Sequence, residues 1–275
     1  MCFACTKILQ RFTEGATHEV CYVFNLLKGK IALITGSGAG NGRSLAIGLA
    51  RWGAKIIVTD IDPEAAAETA IMIRKEGFDA WSYPMDVTNI RSAKALAGAI
   101  SAEHGDVDIL INNAGILYRG DSDTDEAVES WKRVLDINLD GTYYTTIAFL
   151  PSLKRSRGTV INIGSIQSFV SLPTVSAAYG ASKGAILMLT RKFASEFAEF
   201  GIRVNGIAPG YIETTINSFI HDDPEESARR KARVPLGRFA RPDELVGAAV
   251  FLSSEQLSSY VNGVMLPVDG GLLAF

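Results

Sequence analysis

Ile31-Ala32-Leu33-Ile34-Thr35-Gly36-Ser37-Gly38-Ala39-Gly40-Asn41-Gly42 decides the fold of this 275-residue chain. The run Ile31 to Thr35 reads as a buried strand, the glycines as a tight turn, and the stretch from about Arg43 to Trp52 as a helix. Strand, glycine turn and helix in that order open a β-α-β unit. The alternation continues outward. Lys55 to Thr59 forms a second strand, and a helix opens at Pro63, with proline in its first turn and Glu64 near the positive end. Further strands are expected near 79–84, 107–111, 158–163, 202–207 and 263–267, with helices between most of them. Strands that are almost wholly apolar belong to a parallel sheet covered on both faces. The expectation is one α/β domain over residues 29–275: a doubly wound, mainly parallel seven-stranded sheet with helices on both faces. In such a sheet ligands gather at the carboxyl ends of the strands.

Two features at those ends point to a dinucleotide. Gly36, Gly40 and Gly42 give Gly-x3-Gly-x-Gly, slightly looser than Gly-x-Gly-x-x-Gly. With Ser37 and Asn41 they form a turn whose backbone can approach a pyrophosphate resting on the helix N-terminus. Asp60 closes the second strand, eighteen residues past Gly42. A carboxylate there can accept both hydroxyls of an adenosine ribose and repel a 2′-phosphate; it could also be a solvated strand-end aspartate. The glycine turn holds no Arg or Lys, and Arg43 only follows it. The expected cofactor is therefore NAD in preference to NADP. Asp86-Val87, after the third strand, can hold the adenine amino group, or begin a helix together with Thr88 and Asn89.

Tyr179 and Lys183 stand four residues apart, so on a helix they share one face. A free tyrosine titrates near pH ~10, too high for efficient proton transfer at neutral pH, and a neighbouring ammonium favours the phenolate. Ser165 lies fourteen residues before Tyr179 at the carboxyl end of an apolar strand, where an active site belongs. Asn112-Asn113-Ala114-Gly115 follows the strand Asp108 to Ile111, and its composition also suits a plain turn.

Together these residues resemble the short-chain dehydrogenase/reductase family over roughly residues 28–275. Thr35-Gly36-x3-Gly40-x-Gly42 is similar to its cofactor turn, Asn112-Asn113-Ala114-Gly115 to its fourth-strand signature, and Asn138 to its helix asparagine. Ser165 and Tyr179-x3-Lys183 are similar to its catalytic residues, and Pro209-Gly210 with Ile212 and Thr214 to the turn that meets the nicotinamide. The resemblance implies catalytic roles for Asn138, Ser165, Tyr179 and Lys183. Tyr179 would exchange the proton, Lys183 would hold the nicotinamide ribose and lower the Tyr179 pKa, and Ser165 would bond the substrate oxygen. Asn138 would help hold a water that relays protons from Lys183. Hydride transfer would belong to the cofactor. Asn113, Ala114 and Gly115 would touch the cofactor, and the assembly would be a homotetramer. Within the family, Ser165-Ile166-Gln167-Ser168, Val204 to Tyr211 and Val268-Asp269-Gly270-Gly271 resemble sugar-acid dehydrogenases of the gluconate 5-dehydrogenase type, and also polyol dehydrogenases. A 3-oxoacyl-acyl-carrier-protein reductase shares the scaffold, and Arg229, Arg230, Lys231 and Arg233 could dock an acidic carrier. A non-catalytic, nicotinamide-sensing protein is a third reading.

The substrate pocket is expected from Gln167 and Tyr211, with Tyr118, Arg119, Asn217 and His221 as further polar candidates and residues 213–238 as a lid. That polar set suits a hydroxylated or anionic small molecule better than a steroid.

The remainder sets limits. Residues 1–28 show no clean periodicity and read as a disordered extension. They hold all three cysteines, and Cys2, Cys5, His18 and Cys21 could be written as a zinc set. No metal is expected in the body. The stretch lacks an apolar h-region and carries Glu14 and Glu19, against a secretory signal. A net charge of −3 offers no attraction to nucleic acid or an anionic membrane, and no apolar run is long enough to span one. A reducing cytoplasm is the simplest compartment. Trp52, Trp81 and Trp131 read as packing residues, and His104 as a surface residue.

Overall fold

The computed structural model describes residues 25–118, 123–172, 175–214 and 224–274. The strands are β1 (Ile31–Thr35), β2 (Lys55–Asp60), β3 (Ala80–Pro84), β4 (Ile109–Asn112), β5 (Thr159–Ile163), β6 (Arg203–Pro209) and β7 (Met265–Val268). They form one sheet in the order β3-β2-β1-β4-β5-β6-β7, every pair parallel. The helices used below are α1 (Gly40–Arg51), α2 (Pro63–Lys75), α3 (Ile90–Glu103), α4 (Asp125–Leu135), α5 (Gly141–Ser156), α6 (Ala177–Glu196), α7 (Pro224–Lys231) and α8 (Val246–Ser253).

Strand alternation sorts the apolar residues into two cores. Ala32 and Ile34 of β1 join Ile56, Val58, Ile109 and Ile111 on one face, under Leu45 and Leu49 of α1, Ala66 and Ile73 of α2 and Leu252 of α8. Ile31 and Leu33 join Ile57 and Leu110 on the other, under Ile100 of α3, Phe149 of α5 and Phe193 of α6. Both faces are covered, which is why the central strands read as mostly apolar runs.

The helix start differs from expectation. α1 begins at Gly40 rather than Arg43, closed by the Arg43 N–H on the Ala39 carbonyl at 3.1 Å. Glycine carries little helical signal, so periodicity becomes visible only at Arg43. The packed body also takes in residues before 29: Leu27 is 1% exposed and sits in the first core. Cys2, Cys5, His18 and Cys21 lie outside the described residues. His104 is a correction. Its side chain is covered, stacks on Trp81 at 4.3 Å and meets the Tyr83 hydroxyl at 2.6 Å. Trp131, by contrast, is exposed.

Candidate active site

The strand order reverses between β1 and β4, and that switch point opens a crevice at the carboxyl ends. A cleft of about 830 Å³ runs along it, from Asp60 and Asp86 at one end to Ser165, Tyr179 and Lys183 at the other.

The glycine turn forms the floor because side chains do not fit there. Gly36 has φ 60°, and a Cβ on it would lie 2.8 Å from Ala114 Cα. A Cβ on Gly42 would collide with the Gly36 carbonyl oxygen and with Asn113 Nδ2. Ser37 is fully buried beneath the turn, donating to the Ile34 carbonyl at 2.8 Å. Asn113 fastens β4 to the turn: Nδ2 donates to the carbonyls of Thr35 at 2.9 Å and Gly36 at 2.8 Å. Thr35 Oγ1 returns the bond, accepting from the N–H groups of Asn113 and Ala114, both at 3.0 Å. Asp60 Oδ2 accepts from the Gly38 N–H at 2.8 Å and Oδ1 from the Asp62 N–H at 3.1 Å. Asp86 Oδ1 takes the N–H and hydroxyl of Thr88, while Asn89 caps α3.

At the other end, burial shapes the Tyr179–Lys183 pair. Lys183 is 5% exposed, and Nζ donates to the Ile163 carbonyl at 2.7 Å. Desolvation lowers its pKa from 10.5 to about 8. Nζ lies 5.7 Å from the centre of the half-buried Tyr179 ring. Ser176 caps α6, so Tyr179 and Lys183 both project from its first two turns. Ser165 sits just past β5, and its Oγ accepts from the Gln167 N–H at 3.2 Å. That leaves the hydroxyl proton available to an oxygen in the cleft. The strand end and α6 are joined by Ser168, which accepts from the Ser165 N–H at 3.3 Å and donates to the Lys183 carbonyl at 2.7 Å.

Comparison with known proteins identifies this arrangement. The family described as "Enoyl-(Acyl carrier protein) reductase", within the short-chain dehydrogenases, matches residues 36–273. The chain belongs to the short-chain dehydrogenase/reductase family. It is 42% identical over 249 residues to 2-dehydro-3-deoxy-D-gluconate 5-dehydrogenase of Bacillus subtilis, covering 90% of this chain and 96% of the relative. It is 41% identical over 248 residues to 5-keto-D-gluconate 5-reductase of Escherichia coli K12, with the same two coverages. A gluconate 5-dehydrogenase from Burkholderia cenocepacia, solved with NADP and tartrate, superposes with a TM-score of 0.87 at 42% identity, covering 92% of this chain and 99% of that one. The chain is thus a dehydrogenase/reductase that acts on CH–OH groups with a nicotinamide dinucleotide.

The cleft suits that cofactor on its own geometry. The N-terminus of α1 has no side-chain cap and no acidic residue in its first turn, leaving N–H groups for a pyrophosphate. Asn41 lines the cleft, and its buried Oδ1 finds no partner among the described residues. Thr214, arriving from the loop after β6, sets its methyl 3.9 Å from where a Gly40 Cβ would stand. The two loops that would hold opposite ends of the pyrophosphate-to-nicotinamide stretch therefore meet. Val87, Gly115, Pro209, Gly210 and Ile212 also line the cleft.

Other expected residues stand outside the cleft lining. Asn138 lies in a π-turn (Asp136–Asp140), and its amide braces Ile116: Oδ1 accepts from the N–H at 2.8 Å and Nδ2 donates to the carbonyl at 3.0 Å. Nδ2 also reaches Ser182 Oγ at 3.1 Å. Gln167 is buried beside Gly180 and does not line the cleft. Tyr211 does not line it either; it packs on Ile166, Leu172, Val234 and Leu272, edge-on to Phe239. Arg119, Asn217 and His221 lie outside the described residues, as does part of the 213–238 lid.

Sequence reasoning missed the supports. The bracing roles of Ser168 and Ser182 were not foreseen, nor was a buried ladder beneath the site: Asn112 Nδ2 donates to Asn162 Oδ1 and Thr146 Oγ1, and Asn162 Nδ2 to Thr190 Oγ1, each at 2.9 Å. Asparagines facing each other across β4 and β5 would have betrayed it, had the strand register been known. Among the described residues no three His, Cys, Asp or Glu side chains group as a metal site, and no helix is long and apolar enough to cross a membrane.

Proposed function

We propose that this chain is an NAD-preferring dehydrogenase that oxidises a secondary alcohol of a sugar acid, or reduces the matching ketone. The observation that carries the reading is one cleft lined by Ser165, Tyr179 and Lys183 at one end and Asp60 at the other. The relatives named for gluconate chemistry support the substrate class. The bound nicotinamide would accept or supply the hydride. Tyr179 would move the proton at the substrate oxygen, Ser165 would donate a hydrogen bond to that oxygen, and Lys183 would keep positive charge beside the phenol. Asn138, bound to Ile116, would hold the π-turn open as a proton exit from Lys183.

NAD is proposed because both Asp60 oxygens are fixed by backbone N–H groups at the ribose end. The NADP complexes among the similar structures are the counterweight. The carrier-protein reading is less well supported. Arg229 and Arg230 both pair with Glu226, and Arg230 is buried, so half of the basic cluster is already engaged within its own helix. A homotetramer in a reducing cytoplasm remains our proposal, supported by exposed Tyr143 and Met188 on α5 and α6.

The test is turnover of the purified protein, followed by reduced-nicotinamide absorbance, with NAD or NADP and gluconate or a panel of polyols, and with NADH or NADPH and 5-ketogluconate or a 3-oxoacyl thioester. NAD-linked turnover of a sugar acid is expected. Activity confined to NADPH-linked reduction of a 3-oxoacyl thioester would overturn both the substrate and the cofactor. Dinucleotide binding without turnover of any substrate would favour the sensing reading.

A further inference from the structure

Arg43 is the only cation between Thr35 and Arg51. It stands in the first turn of α1, and its side chain, 25% exposed, folds back onto the glycine turn. Nε donates to the Gly38 carbonyl at 2.8 Å and to Thr69 Oγ1 at 3.0 Å. Nη2 contacts the same carbonyl and donates to Glu68 Oε2 at 2.6 Å. On its opposite side Gly38 gives its N–H to Asp60 Oδ2 at 2.8 Å. A Cβ on Gly38 would lie 2.7 Å from Ala65 Cβ and 2.9 Å from Asp60 Oδ2, so α2 presses directly on the turn. Glu68, Arg43, Gly38 and Asp60 thus form one chain, running from the exposed surface of α2 to the ribose end of the cleft.

A guanidinium binds phosphate through a rigid fork of N–H groups, and a fork already committed to a carbonyl and a carboxylate offers less. We propose that Glu68 is a specificity-determining residue: it holds Arg43 against the Gly38 carbonyl and so withholds that cation from a phosphate on the adenosine 2′-oxygen. The inference rests on the NAD reading. Discrimination then has two parts. Asp60 repels the phosphate, and Glu68 removes the group that would otherwise compensate. Glu68 is itself a positioning residue, acting through Arg43.

Glu68 is 63% exposed, so Glu68→Gln keeps size and shape and changes one solvated charge. Calorimetric titration with adenosine 5′-monophosphate and adenosine 2′,5′-bisphosphate reads the ribose end without turnover. In Glu68→Gln the bisphosphate is expected to bind about five-fold tighter, the range of an exposed ion pair, while the monophosphate changes less than about two-fold. Adding Arg43→Met is expected to erase the gain. An unchanged ratio in Glu68→Gln overturns the proposal alone, as does a gain that survives loss of Arg43. The NAD reading is judged separately, on wild-type protein: tighter binding of the bisphosphate than of the monophosphate there removes the premise.

Discussion

Lys183 Nζ donates to the main-chain carbonyl of Ile163 at 2.7 Å, so the buried ammonium of α6 is bound to the last residue of β5. A carbonyl supplies a partial charge, not a counter-ion, and desolvation wins: the pKa falls from 10.5 to about 8. Between pH ~8 and ~10.5 the unfolded chain holds this proton and the folded chain has lost it. Stability should therefore rise with pH through that window, by up to ~3 kcal/mol from this group. Below about 8 the burial cost is felt in full. Lys183→Met is expected to melt at higher temperature than wild type at pH 7 without cofactor, and the gap should close as pH rises. Parallel melting curves at every pH would contradict this assignment.

Tyr179→Phe keeps the ring beside Lys183 and removes only the hydroxyl. Turnover is expected to fall by about 10²- to 10⁴-fold, the usual range for loss of a general acid/base. Dinucleotide binding, measured by quenching of protein fluorescence, should stay within about two-fold, because one neutral hydrogen bond contributes little net. Full retention of kcat would remove Tyr179 from the proton path.

Two glycines with positive φ separate strain from collision. Gly77 has φ 90° and nothing within 4 Å of a new Cβ, so Gly77→Ala should cost only the left-handed backbone, about 1 kcal/mol. Gly36 adds the contact with Ala114 at the β1–β4 switch point. Gly36→Ala is expected to cost roughly 2–4 kcal/mol and to weaken dinucleotide binding as well. Denaturant midpoints compare the two; equal losses would show that the approach to Ala114 relaxes freely.

The sheet was legible because the central strands, buried on both faces, are mostly apolar, and the glycine turn because only glycine tolerates its geometry. Ser165, Tyr179 and Lys183 were legible from the end of one apolar run and one i,i+4 spacing. Gln167 and Tyr211 were expected in the pocket, yet Gln167 is buried and Tyr211, half-buried, packs on a small apolar cluster outside the described cleft lining. Each follows a strand end by only a few residues, where a single irregular turn decides which way a side chain points. The link from Glu68 through Arg43 to Gly38 was hidden for a different reason. It couples a side-chain pair 25 positions apart to a backbone carbonyl five positions away, and a carbonyl leaves no trace in residue type.

Asp60 gives the most direct test of cofactor choice. Its oxygens accept from Gly38 and Asp62 N–H groups, so complete removal would disturb the turn as well as the proposed ribose contact. Asp60→Asn is the sharper change, since it keeps one acceptor and removes the charge. Two ribose hydroxyls bonded to a carboxylate account for about 2 kcal/mol, and losing part of that should weaken NADH binding roughly ten-fold. The 2′-phosphate of NADPH would no longer meet a fixed negative charge, so NADPH binding should tighten or hold steady. Fluorescence titration with both reduced cofactors reads the ratio directly. If both affinities drop together, Asp60 acts by shaping the turn, and cofactor selection lies elsewhere in the cleft.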